Sequence, residues 1–230
     1  TVSVHVVADS KFLTILFDAA HPKIDDSQTA LQAGLWANFP TFSPSALQRV
    51  MRQDYLWQAD CFECFIAKDS QADSPYLEVN LATNGEFNLY YFDSYRTPNA
   101  LPPRRLPITA LTYGEDINFF SQAVTQDSEL PLVFWCSASP MLLTHVRAVQ
   151  QQYGFSTGTF RVGMTFAKSA LNKLVDAKGN YALNPTRVIQ QPSDNGLADN
   201  SAPIVDEMSY WAIQHAQPAD FHNKAHWINT

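Results

Sequence analysis

The feature that most constrains this chain is the dipeptide Asn84-Gly85, set between two runs of alternating polarity, Tyr76-Leu77-Glu78-Val79-Asn80-Leu81 and Phe87-Asn88-Leu89-Tyr90-Tyr91-Phe92. Asn-Gly supplies the positive-φ residues that a tight two-residue turn needs, so the two runs predict a β-hairpin. Such a turn sets Glu78 opposite Tyr91, Asn80 opposite Leu89 and Tyr76 opposite Asp93 on one face. Leu77 then meets Phe92, Val79 meets Tyr90 and Leu81 meets Asn88 on the other. One face is polar and aromatic, and the other is largely apolar.

The same period recurs along the chain. Val2 to Val7 and Phe12 to Phe17 flank a short Ala-Asp-Ser turn and predict a second hairpin. Further strands are expected over Cys61–Lys68, Leu106–Tyr113, Leu132–Cys136, Thr159–Phe166 and Met208–Ile213, with a short one near Trp227. Helix is sparse: one start at Ser43-Pro44, and one stretch, Leu142–Tyr153, with Leu143, Val146, Val149 and Tyr153 at helical spacing before Gly154. Residues 20–42 and 191–205 read as polar surface loops. Many short strands with little helix predict an all-β fold, a single antiparallel β-sandwich domain spanning residues 1–230, with a few short helices.

A chain of 230 residues buries roughly 70–75% of its unfolded surface, enough to fold without a disulfide or metal staple. The net charge is −7 and the basic residues are scattered, which argues against nucleic acid or an anionic membrane as partner. No apolar run approaches the roughly 18 residues of a membrane-spanning helix. The three cysteines form no disulfide framework. Cys61 and Cys64 make a C-x-x-C inside a predicted strand, where residues three apart face opposite ways, so they are expected as buried thiols rather than a redox pair or metal ligands. With no charged leader and apolar stretch at the start, a cytoplasmic location is expected.

Glu63 lies between Cys61 and Phe65 in a strand that is apolar on both faces. A carboxylate there is partly buried and needs a partner or a ligand. Aromatic rings beside carboxylates and amides suit sugar recognition, because C–H groups stack on rings while Asp, Glu and Asn hold hydroxyls.

Three local patterns carry a resemblance. Leu56-Trp57-Gln58-Ala59-Asp60-Cys61-Phe62-Glu63-Cys64-Phe65-Ile66 resembles the L-W-x-x-x-C-F-E-x-F segment of DOMON-like bacterial proteins, relatives of the family 9 carbohydrate-binding modules. Tyr76 to Phe87, followed by Tyr95-Arg96, is similar to their Y-x-E-F-N-x-S-P-S-G-x-W stretch and its Y-R. Ser209-Tyr210-Trp211-Ala212-Ile213, His215 and Asp220-Phe221-His222 resemble their closing S-Y-W-A-L-x-H and P-D-F-H. Ala82-Thr83-Asn84 replaces S-P-S, Phe87 the usual Trp, and Ala219 the usual Pro.

The resemblance implies a β-sandwich that binds a saccharide or similar polyhydroxy compound between Trp57 and Trp211, with Glu63, Glu78, Asn80 and Arg96 holding hydroxyls. Tyr210, His215, Asp220 and His222 complete the implied ligand-binding set. Two other functions compete. Some DOMON relatives hold haem through Met and His, and Met51, Met141, Met164 and Met208 are available, but none sits in a recognisable axial pattern. An enzyme could use a Glu63–Glu78 carboxylate pair with His215, Asp220 and His222. Asp220 and His222 are better explained as residues that bond backbone and lock the closing strands. No nucleophile arrangement, phosphate loop or metal motif is present, and no cofactor or catalytic residue is expected.

Overall fold

The computed structural model describes residues 2–20, 51–58, 61–82, 86–107, 117–123, 133–134, 148, 159–175, 180–191, 207–214 and 216–229. The chain is all-β, as expected, with two antiparallel sheets and one short α-helix among the described residues. These residues fall into two compact units, each built on one sheet.

The first unit carries β1 (Val2–Ala8), β2 (Phe12–Ala20), β7 (Ile117–Ala123), β8 (Val133–Phe134) and β9 (Thr159–Ala167), in the order β1-β2-β9-β7-β8. The expected first hairpin is present, with Ala8 paired to Leu13. Asp9 makes its turn: its Oδ1 accepts from the Lys11 N–H at 2.6 Å and the Phe12 N–H at 2.7 Å. Helix α1 (Lys168–Val175) follows β9 directly and buries Ala170 and Leu171.

The second unit holds β3 (Met51–Arg52), β4 (Cys61–Ala67), β5 (Tyr76–Leu81), β6 (Glu86–Phe92), β10 (Ala182–Gln191), β11 (Glu207–Ala212) and β12 (Ile228–Asn229). Their order is β11-β10-β4-β5-β6-β3, and β12 pairs with β10 beside β11. β10 was not foreseen because Pro185 lies inside it. β12 covers β10 at Ala182 and Leu183, and β11 covers it from Thr186 onward. Pro185 falls in the gap between them, where its missing N–H breaks no ladder on that side.

The β5–β6 register differs from the expectation by one residue. Glu78 pairs with Tyr90, Asn80 with Asn88 and Tyr76 with Phe92. Leu81 and Phe87 are the last pair, so an odd number of residues connects them, and a two-residue turn cannot produce that register. The slip turns every side chain of β6 over. Tyr90 and Phe92, not Tyr91 and Asp93, share a face with Tyr76, Glu78 and Asn80.

Alternation on β4 puts Cys61, Glu63 and Phe65 on that same face and Phe62, Cys64 and Ile66 on the other. The thiols of Cys61 and Cys64 form no disulfide and are fully buried on opposite faces, as expected. Burial pushes the Cys64 thiol well above its ordinary pKa. Native labelling of either by a thiol reagent is therefore expected to follow global unfolding, with complete reaction only in denaturant. Rapid modification of Cys64 in the folded protein would contradict this. The predicted helix at Ser43, the strand over residues 108–113 and the Asn84-Gly85 turn lie outside the described residues, and of Leu142–Tyr153 only Ala148, which is helical, is described.

Candidate functional site

One face of the second unit's sheet combines rings with carboxyls. Phe65, Tyr76, Tyr90, Phe92, Val188 and Phe221 pack there with Trp227 in one buried cluster, and Trp57 leans on it. Among them sit Glu63 and Glu78, 3% and 4% exposed. Both line a cavity of about 300 Å³, at the small end of the range for ligand sites. Trp57, Arg96, Tyr210 and His222 line it too, with the 98–103 loop and Phe221.

A neighbouring strand supplies the partner of Glu63, and β5 itself that of Glu78. Glu63 faces Asn80 on β5 and Thr186 on β10, and the Thr186 hydroxyl donates to its Oε2 at 2.9 Å. Asn80 Nδ2 donates to Glu78 Oε1 at 2.9 Å. Glu78 Oε2 is buried without a hydrogen-bond partner among the described residues, and Asn80 Oδ1 shares that condition. Burial drives both acids well above the ordinary carboxyl range, and for Glu63 the charge of Glu78 adds to the shift. Two buried acids without a cation between them keep protons that water would take.

His222 bridges the acids and the rings. Its Nε2 stands 3.8 Å from Glu78 Oε2, and its Nδ1 is 2.6 Å from the Tyr76 hydroxyl. That hydroxyl also accepts from the Arg96 backbone N–H at 3.3 Å. Burial, aided by the charge of Arg96, pushes the His222 pKa down to about 3, so the ring is neutral near pH 7. Phe65 and Phe92 hold it edge-on at 5.0 and 5.3 Å.

Asp220 fixes the rim. Its Oδ2 accepts from the Tyr95 hydroxyl at 2.7 Å and its Oδ1 from Arg96 Nη2 at 3.0 Å. The His222 N–H also reaches Oδ1, at 3.3 Å. Burial works against its charge, but these donors more than offset it and hold the acid below the usual range. Arg96 has φ 46°, a conformation costly for a residue with a Cβ, and Tyr55, whose ring is 5.3 Å from Trp57, has φ 63°. The two positive-φ side-chain residues among those described thus flank the cavity wall, where surrounding contacts hold them.

The segment that brings Phe221 and His222 to the cavity is pinned on both sides. Asn184 Nδ2 and the Trp227 indole N–H both donate to the Phe221 carbonyl, at 3.0 and 2.9 Å. Lys224 Nζ donates to the Gln71 and Ser74 carbonyls and lies over the Tyr76 and Trp227 rings.

Of the residues expected to bind ligand, Trp57, Glu63, Glu78, Arg96, Tyr210 and His222 line the cavity. Asn80 and Asp220 hold lining groups instead of lining it themselves. The alternation of β11 places Tyr210 beside Val188 on the cavity face, and Trp211 opposite Arg187 on the reverse face. The second ring of the wall is therefore Tyr210, not Trp211. His215 lies outside the described residues. Thr186, Phe65 and Phe92 were not foreseen, whereas Tyr76 shares the face of Glu78 and Asn80 as expected. The strand period of Phe65 and the register of β6 could have pointed to the rings, but Thr186 was hidden in a strand that its neighbouring proline disguised. No group of three or more His, Cys, Asp or Glu able to hold a metal occurs among the described residues. Comparisons with protein-family models, curated proteins and solved structures returned no match.

Proposed function

We propose that this cavity binds a small polyhydroxylated ligand, a saccharide unit, with Trp57 and Tyr210 as its ring walls. The observation that carries the reading is the pair of buried acids, Glu63 and Glu78, set in a ring-lined cavity of about 300 Å³. Rings accept the C–H face of a sugar, and the acids and Arg96 meet its hydroxyls. Glu78 Oε2, buried without a hydrogen bond, gains one when a hydroxyl reaches it. Tyr210 is about half exposed, so it presents ring surface for stacking at little cost to the core. The resemblance to family 9 carbohydrate-binding modules points to the same ligand class.

Calorimetric titration with neutral mono- and disaccharides tests this reading. Trp57→Ala and Tyr210→Ala are each expected to weaken binding about tenfold or more, the effect of losing a stacking wall. Trp211→Ala should leave affinity within about twofold, since that ring is on the other face of β11. Absence of binding across the panel, or loss on Trp211→Ala with none on Tyr210→Ala, overturns the reading.

A further inference from the structure

We infer that the ligand carries a protonated amine seated against Glu63 and Glu78, which rests on the saccharide reading above and narrows it to amino sugars. Among the described residues Glu63 has one hydrogen bond, from the neutral Thr186 hydroxyl, and Glu78 has one, from the neutral Asn80 amide. The nearby cations are committed elsewhere. Arg96 Nη2 is held by Asp220, Lys224 Nζ by two carbonyls, and Arg105 by Asp54. His222, 3.8 Å from Glu78, is neutral, and the Tyr76 hydroxyl faces His222, not the acids. Two carboxyls thus share one cavity with a single lining cation among the described residues, Arg96, which is already paired with Asp220.

At pH 6 two acids so placed hold their protons, and each proton retained weakens them as acceptors. A neutral sugar leaves that state unchanged. An ammonium group removes the repulsion, lets both ionise and turns its contacts with them into charge-assisted hydrogen bonds. The remaining walls favour the same ligand. Trp57, Phe65, Phe92, Tyr210 and Phe221 line the cavity, and ring faces attract a desolvated cation. Binding then expels protons from the acids, because the bound amine lowers their pKa values.

The test pairs each amine with its neutral counterparts: glucosamine, galactosamine and mannosamine against the parent hexoses and the N-acetyl forms. Titrations run at pH 6, where the amines are charged in solution, in buffers of different ionisation enthalpy that report protons exchanged. An amine is expected to bind at least about tenfold tighter than its parent and N-acetyl form, releasing about one to two protons per ligand as the two acids ionise. Glu63→Gln and Glu78→Gln should each bring that ratio close to one, with neutral-sugar affinity changed less. Equal affinity for amine and parent sugar overturns this inference and leaves the saccharide reading intact. An amine preference retained in both glutamine variants also overturns it. If no member of the panel binds, both fall.

Discussion

Replacing Phe65 by alanine is expected to cost about 3–5 kcal/mol, a large share of the roughly 5–15 kcal/mol that holds a domain folded. Phe65 is 2% exposed at the centre of β4. Its ring meets Tyr76, His222 and Trp227 at 6.4, 5.0 and 5.9 Å. Truncation leaves a cavity beneath the segment that carries His222, and those three rings cannot all collapse into it without losing their own contacts. Phe65→Leu keeps most of the volume and should cost about 1–2 kcal/mol. Urea unfolding of the two variants checks the contrast. A loss under about 1 kcal/mol for Phe65→Ala would mean that the cluster is far looser than its burial indicates.

The second large effect is in pH. Burial raises Glu63 from 4.5 to about 8, with help from the Glu78 charge, and raises Glu78 from 4.5 to about 7. In that window the folded chain keeps protons that the unfolded chain has released. The stability these acids contribute is therefore whole below pH 4.5 and is lost as pH rises through about 7–8. His222 acts in the opposite sense: depressed from 6.5 to about 3, it contributes stability above pH 6.5 that is lost as pH falls towards 3. Two acids outweigh one imidazole, so the net slope from these groups between pH 4.5 and 8 is downward with rising pH. Glu63→Gln removes the larger share. At pH 9 the variant should exceed the parent by on the order of 2–4 kcal/mol, and at pH 4 the two should agree within about 1 kcal/mol. Unfolding curves at both values decide the matter. Equal stability at pH 9 would show that the acid ionises freely in the folded chain.

Much of the strand content was legible because burial on one face imposes a period of two. The Val2–Val7 and Phe12–Phe17 hairpin, Cys61–Lys68, Tyr76–Leu81 and Thr159–Phe166 all show it, and β1, β2, β4, β5 and β9 follow. The need of Glu63 for a partner was also legible, since a carboxyl between Cys61 and Phe65 has no route to water. What escaped depends on information that no local pattern holds. The register of β6 turns on whether its connection to β5 is odd or even, and one residue exchanges Tyr91 for Tyr90 at the site. Trp211 and Tyr210 are adjacent rings on one strand, and only pairing to β10 says which faces the cavity. β10 itself contains Asn184-Pro185, a pair that ordinarily marks a turn. Its tolerance comes from two partner strands that leave a gap.

The pinning of residues 221–227 has a consequence for how the protein is made. Trp57, Glu63, Glu78 and Arg96 are translated well over a hundred residues before His222 and the Lys224 anchor. While the ribosome is still adding that intervening chain, β4, β5 and β6 can pair, but the wall that dries the two acids does not yet exist. In that interval the acids are wet, charged and ordinary. Only when Lys224 reaches the Gln71 and Ser74 carbonyls and Trp227 caps the Phe221 carbonyl does the cavity close over them. The acids thus acquire their unusual chemistry only after residues 221–227 have been added, and a nascent chain halted before residue 221 would carry the same glutamates without the site.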